Sequence, residues 1–217
     1  DNGVTYNVYA DTHGVQRPWD LDVLPLMIPQ QEWQAISAAV AQRATLLNGI
    51  LLDVYGPQTL LRSGQCPAAL VFGHPGFLPA CVGQPHYGQT ALHSYAVDLA
   101  RAPDGQWWVV SDRTQAPTGA GYALENRTII SSAFPELFRD LNVERLSGFF
   151  ASMRDSLAHW GHQVAQHQHQ HVPGIAPLGA GESPLVVILT PGPYNETYHE
   201  QSFLAGYLGY PLVQGSD

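Results

Sequence analysis

Two stretches of the sequence combine the residue types that carboxylate and phosphate chemistry needs. Asp98 closes the run Tyr95-Ala96-Val97, and Asp112 follows the apolar run that ends near Val110. A turn at Pro103-Asp104-Gly105 would fold these runs into a hairpin and bring the two carboxylates near each other. Paired carboxylates form a hard-oxygen site for Mg2+, which needs few protein ligands when phosphates complete its shell. The competing reading is structural: both carboxylates cap turns or pair with Arg101 and Arg113. The following segment joins Arg113, Thr114 and Gln115 to Gly119, Gly121, Glu125, Asn126 and Arg127. Glycine-rich backbone beside arginine is an anion cradle, or a tight loop that needs glycine for its shape. Further on, Thr190-Pro191-Gly192-Pro193-Tyr194-Asn195-Glu196 places Asn195 and Glu196 in a turn ahead of a helix. Ligands favour that edge of parallel sheets, although such a turn can equally be structural. The sequence holds no G-x-G-x-x-G or Walker pattern.

Other groups are weaker. Cys66 with His74 or His93 has the composition of a nucleophile and its base, but nothing local activates the thiol, so a structural role is expected. Cys66 and Cys81 are read as reduced thiols of a cytoplasmic protein, with a disulfide as the alternative. His159, His162, His167, His169 and His171 invite a metal reading, since alternate histidines can coordinate a borderline cation. Without a scaffold to fix their geometry, the Gln/His tract reads instead as a low-complexity connector. A metal-storage role ranks last.

Composition narrows the classes. In 217 residues the net charge is -9, which argues against nucleic acid or an acidic membrane as partner. All 9 basic residues are arginines. The absence of lysine removes Schiff-base chemistry and a Walker-type phosphate lysine; any ATP chemistry needs lysines from another segment. The longest apolar run, near residues 184–189, falls far short of the roughly 20 residues that span a bilayer. Asp1-Asn2-Gly3 lacks the basic and apolar regions of a signal peptide, and without an initiator Met the chain reads as cut from something longer.

The elements that must hold these residues follow from periodicity. Residues 4–9 alternate as a short strand, followed by a loop containing His13-Gly14 and Arg17-Pro18-Trp19. Apolar positions from Trp33 to Val54 recur every three or four residues, predicting a helix over 30–55 that starts at Pro29 and stops at Gly56-Pro57. A short helix is expected over 58–62, and irregular structure with one short strand over 66–88. Strands are expected over 92–99, 106–111 and 122–130, and helices over 135–138 and 143–160. Residues 185–189, 196–208 and 211–213 read as one β-α-β unit opening a parallel sheet. That unit alone leaves strand edges unpaired, so the chain resembles the front of a larger protein. The expected organisation is residues 1–160 as an α+β domain, 161–183 as a linker, and 184–217 as an incomplete Rossmann-like start. The fold class is α/β.

Several motifs carry a specific resemblance. They are Tyr6-Asn7-Val8-Tyr9-Ala10-Asp11, Arg17-Pro18-Trp19, Tyr95-Ala96-Val97-Asp98-Leu99-Ala100-Arg101, the long run from Asp112-Arg113-Thr114-Gln115 to Glu125-Asn126-Arg127, and Leu189-Thr190-Pro191-Gly192-Pro193-Tyr194-Asn195-Glu196-Thr197-Tyr198. Together these resemble the circularly permuted ATP-grasp family (type 2), bacterial proteins distantly similar to glutathionylspermidine synthase. The resemblance implies ATP-dependent ligation through an acyl phosphate, with ATP and Mg2+ as cofactors and a small-molecule carboxylate and amine as substrates. It implies that the 1–160 region is the acceptor side and that 184–217 begins a pre-ATP-grasp sheet. The ATP-binding part would come from the remainder of the chain, leaving this fragment inactive alone. In the more distant synthetases a strand Asp and a following Glu-x-Asn bind Mg2+. Asp98 matches the first, and Asp112-Arg113-Thr114 stands at the second with Asp for Glu and Thr for Asn. Arg127 and Arg113 would orient the acyl phosphate by bidentate contact, while Thr114, Gln115, Glu125, Asn126, Asn195 and Glu196 would contact substrate. The alternative is a non-catalytic binding module on the same scaffold, which Thr114 in place of Asn suits.

Overall fold

The structure is a computed structural model describing residues 4–7, 16–22, 24–84, 88–179 and 181–217. Val8, Tyr9, Ala10, Asp11, His13 and Gly14 lie outside the described residues. The chain divides into two compact units, one made of Asp1–Pro25 and Thr118–Asp217, the other of Leu26–Pro117. These divisions fall elsewhere than the compositional boundaries at 160 and 184.

The continuous unit is built on α1 (Gln30–Tyr55), which begins directly after Pro29, where a fixed φ suits helix entry. Ile36 and Val54 are its buried positions. The helix is long and apolar enough, at a mean hydropathy of 1.3, to cross a membrane by length and composition. It contains no uninterrupted apolar run of that length, since serine, glutamine, asparagine and charged residues recur along it, and it meets the criterion only on average. Its polar side chains are engaged within the unit. Asn48 Oδ1 accepts from the Ala91 and Leu92 amides, Asp53 accepts from Thr59 and Leu60, and Arg43 reaches Asp112.

Short helices α2 (Thr59–Arg62) and α3 (Ala68–Phe72) follow, then a 3-10 turn at Pro79–Cys81. No strand forms in the described part of residues 66–88. Its apolar residues serve aromatic packing instead, with Phe77 stacked on Tyr55 at 5.4 Å and Phe72 edge-on to Phe77 at 5.2 Å. Strands β3 (Ala96–Arg101) and β4 (Trp107–Arg113) then form an antiparallel hairpin. Gly105 takes φ +86° in its turn, a conformation that side chains resist. The first strand starts four residues later than periodicity suggests, since the amides of Ala91 and Leu92 bond to Asn48.

In the discontinuous unit, β1 (Thr5–Asn7) pairs antiparallel with β2 (Gln16–Pro18). Helices α4 (Ala120–Ala133), α5 (Pro135–Asp140) and α6 (Ser147–His171) follow, then β5 (Ile188–Leu189), α7 (Tyr198–Leu208) and β6 (Leu212–Val213). β5 and β6 are parallel across α7, as the β-α-β pattern requires. The core joins Leu124 of α4, Phe150 of α6 and Leu208 of α7, with Leu146, Met153 and Phe203 packed around them.

Two further elements differ from expectation. Residues 122–130 are helix rather than strand. The alternation of Tyr122 and Leu124 with Ala123 and Glu125 imitates a strand, but Ala, Leu, Glu and Arg favour helix, and a carboxylate from α7 satisfies its first amides. Helix α6 runs through 161–171, where a connector was expected. Gln, His and Ala tolerate helix well enough to prolong a helix already packed through Phe150.

Candidate functional site

The hairpin β3–β4 decides the fate of the expected metal pair. Its register sets Asp98 opposite Ser111 and Asp112 opposite Val97. Successive side chains alternate faces, so Asp98 and Asp112 lie on opposite faces of the ribbon. Each has its own partners. Asp98 accepts from Ser111 Oγ, and from Arg113 Nε at 3.0 Å. Asp112 takes a bidentate pair from Arg43, both contacts 2.6 Å, and a 2.5 Å bond from the Tyr95 hydroxyl. The Arg43 guanidinium and that hydroxyl hold the Asp112 carboxyl down to about 2. Ser111 first and Arg113 next lower Asp98. The hairpin therefore does not fit Mg2+ at this pair, and among the described residues no group of three His, Cys, Asp or Glu side chains could hold a metal. The structural reading of Asp98 paired with Arg113 is what the geometry contains, while Arg101 pairs with Glu32 at 3.2 Å. Thr114 and Gln115 lie in the exposed loop after β4.

In the discontinuous unit, α4 and α7 bring other residues together. Gly119, at φ +111°, turns the chain into α4. Glu200, only 2% exposed, accepts from the amides of Gly119 at 2.7 Å and Gly121 at 2.8 Å. A carboxylate at a helix N-terminus satisfies orphan amides and complements the dipole. This contact requires Gly121, since a Cβ there would lie 2.7 Å from Glu200 Cγ. The docked helix presents Tyr122, Glu125 and Asn126 on one face.

Around that face three rings stack. Trp19 lies 4.5 Å from Tyr122 with 12° between planes, and His199 covers Tyr122 at 6.1 Å and 18°. Polar atoms lock the stack. Trp19 Nε1 donates to Asn126 Oδ1 at 3.0 Å, the Tyr122 hydroxyl donates to the Thr5 carbonyl at 3.0 Å, and His199 Nε2 sits 2.9 Å from Glu125 Oε2. Burial first, and then Glu196, raise the Tyr6 phenol. Burial, then the charges of Glu200 and Glu125, push the Tyr122 phenol up to about 12, with Tyr6 and Glu196 adding to the effect. Beside Trp19 opens a cavity of about 470 Å³ lined by Val4, Leu21, Ile129, Ile130 and Phe134, with Asp20 and Asp22 on its wall.

Residues 25–217 match the family described as circularly permuted ATP-grasp type 2. The chain belongs to that family. Similar proteins include an uncharacterised protein of Mycobacterium tuberculosis, 38% identical over 200 residues that cover 92% of this chain and 21% of the relative. An uncharacterised protein of Synechocystis is 34% identical over 215 residues, 99% of this chain and 41% of its own. Another Mycobacterium tuberculosis protein is 32% identical over 217 residues, 100% of this chain and 36% of its own. The chain thus spans less than half the length of these relatives. The family is ligase-like in fold, and ATP-grasp proteins generally use ATP and Mg2+.

Of the residues singled out from sequence, Glu125 and Asn126 bond to the rings stacked on Tyr122, and the charge of Glu196 acts on that phenol. Asn195 is occupied locally, accepting from the Thr197 amide and hydroxyl and from Gln201. Arg127 donates to the Glu144 carbonyl at 2.5 Å and lies over Phe138 at 5.7 Å, a packing role. Arg113 belongs to Asp98. Trp19, Tyr122, His199 and Glu200 escaped the sequence reading as site residues. The sequence signals were Trp19 within Arg17-Pro18-Trp19, Tyr122 within the run from Asp112 to Arg127, and Glu200 as the one charged residue of α7.

Proposed function

We propose that this chain is the acceptor-side part of an ATP-dependent carboxylate–amine ligase, and that the Trp19–Tyr122–His199 stack is where the amine enters. The observation that carries this reading is the negative character of the cluster. Burial first, and then the charges of Glu200, Glu125 and, least, Glu196, keep one phenol protonated, and those carboxylates make a setting that attracts an ammonium group. Trp19 adds an aromatic face for it. The adjoining cavity receives the apolar part of the substrate.

Glu125 also supplies a proton path. Because a carboxylate accepts, the 2.9 Å contact fixes the proton of His199 on Nε2 and leaves Nδ1 as the basic nitrogen. His199 Nδ1 takes a proton from the ammonium and frees its lone pair for attack, with Glu125 holding the imidazole in place. When bound, ATP would supply the phosphoryl group that activates the carboxylate, phosphate leaving as the amine attacks, and the Asp98 and Asp112 pair would not hold its Mg2+. Catalysis is otherwise positioning. The partners are small molecules and the remainder of the longer protein, with neither nucleic acid nor membrane required. Free Cys66 and Cys81 accord with a cytoplasmic location.

The test is amine-dependent ADP release by the complete protein. His199→Gln should lower kcat and reshape its pH profile, while Glu196→Gln should raise KM for the amine. Turnover unchanged in both variants would sink the site. A second reading, a binding module without turnover, draws on the arginine pairing of both Asp98 and Asp112. It predicts amine binding with no ADP release by the unmodified protein.

A further inference from the structure

The histidines near the end of α6 have no part in the proposed ligation. In the sequence they look like a connector, but the structure places His167-Gln168-His169-Gln170-His171 in the last turns of a 25-residue helix. A helix sorts them. Residues four apart share a face, and residues two apart diverge by about 200°. His167 and His171 thus fall on one side, their rings 4.0 Å apart and inclined by 22°. His169 points elsewhere, with Nδ1 2.8 Å from the Ile175 carbonyl. His159, higher on the helix, shares a 2.9 Å contact with Gln163.

The tautomer of His171 is also set. Its Nδ1 lies 2.9 Å from the His167 carbonyl oxygen. A carbonyl only accepts, so Nδ1 carries the proton and Nε2 holds the lone pair. Fixing one imidazole nitrogen by a backbone carbonyl is how proteins orient metal-binding histidines. The helix C-terminus adds the negative end of the dipole, which favours a cation.

We propose that His167 and His171 form a two-imidazole site for a borderline divalent cation, Cu2+ foremost and Zn2+ after it. Metal–nitrogen bonds of about 2.0–2.1 Å let one ion bridge rings this close once both side chains turn a ring nitrogen toward it. Imidazole selects Cu2+, Ni2+ and Zn2+ over Mg2+, and the divalent series places Cu2+ first. Among the described residues no third His, Cys, Asp or Glu joins this pair; water can fill the remaining positions of the shell. The site is independent of the proposed ligase activity.

The experiment is a calorimetric titration of the chain with CuCl2, ZnCl2 and MgCl2, with amide hydrogen exchange measured at residues 165–171. One Cu2+ should bind per chain at the α6 end, more tightly than Zn2+, and slow exchange there; Mg2+ should do neither. Removing one of two tethered ligands makes the other act alone, so His171→Ala and His167→Ala should each weaken Cu2+ binding by about a hundredfold. His169→Ala should leave it unchanged, and far-UV circular dichroism checks that all three variants fold. Equal losses in His169→Ala and His171→Ala would mean that the tract binds as an unordered tail and would overturn the proposal. Undiminished binding in His171→Ala would overturn it as well.

Discussion

Glu200 offers the sharpest test of how the candidate site is held. Its carboxylate is 2% exposed and accepts two amide protons, at 2.7 and 2.8 Å, from the first turn of α4. Hydrogen bonds to a charged group contribute about 1.5–3 kcal/mol each, and a buried donor stripped of its partner costs about 1–3 kcal/mol. Glu200→Ala leaves two such donors and a cavity, so the expected loss is about 3–5 kcal/mol. Against the roughly 5–15 kcal/mol of a typical domain, that is a large fraction. Glu200→Gln keeps an oxygen in place and loses only the charge and its dipole interaction, about 1–2 kcal/mol. Urea unfolding at neutral pH gives both values, and hydrogen exchange at residues 120–126 locates the damage. Because α4 carries Tyr122, Glu125 and Asn126, exchange there should rise before the rest of the unit responds. A Glu200→Ala cost below about 1 kcal/mol, or a Gln variant as damaged as the Ala variant, would refute the assignment of Glu200 as the clamp on α4.

Titration and packing give three more predictions. Tyr122 is held neutral up to about 12 against an ordinary 10.0, so its contribution is complete below pH 10 and disappears as the pH rises through 12. Tyr122→Phe should remove that alkaline loss and cost about 1 kcal/mol for the hydroxyl bond to Thr5, as urea melts at several pH values would register. Asp112 is depressed from 3.8 to about 2, so its pairing with Arg43 stabilises fully above pH 4 and is lost as the pH falls through 2. Asp112→Asn should flatten that acid limb in circular-dichroism titrations, and an unaltered limb would count against the pairing. At Gly161 of α6 an added Cβ would lie 2.5 Å from Pro184 Cβ. A rigid ring cannot yield, so Gly161→Ala should lose about 1–2 kcal/mol despite the better helix former, whereas a raised melting temperature would mean that the contact is loose.

What could be read directly from the sequence was local. The period of Trp33 to Val54 specified α1 to the residue, because 3.6-fold periodicity with a Pro start and a Gly-Pro stop leaves no competing structure. The apolar–helix–apolar pattern near the end specified a parallel pair, and the turn at Gly105 specified the hairpin. The family motifs likewise lie in continuous segments, so the resemblance could be read without a structure. Sequence alone points α4 toward a strand because Tyr122-Ala123-Leu124 satisfies a two-residue period as well as a helical one, and the deciding contact comes from Glu200, 81 positions from Gly119.

Tertiary structure decided the rest. Asp98 and Asp112 approach each other in sequence-level hairpin arithmetic, but a register irregularity between Asp98 and Leu99 and the alternation of faces separate their side chains. A shift of one residue reverses a side chain's face, and no local propensity encodes it. Trp19, Tyr122 and His199 come from the start, middle and end of the chain, so their stack exists only after the discontinuous unit closes. Residue types announced which chemistry was available; long-range packing determined which groups share an environment, because charge and hydrogen bonding act over a few ångströms of space whatever the distance along the chain.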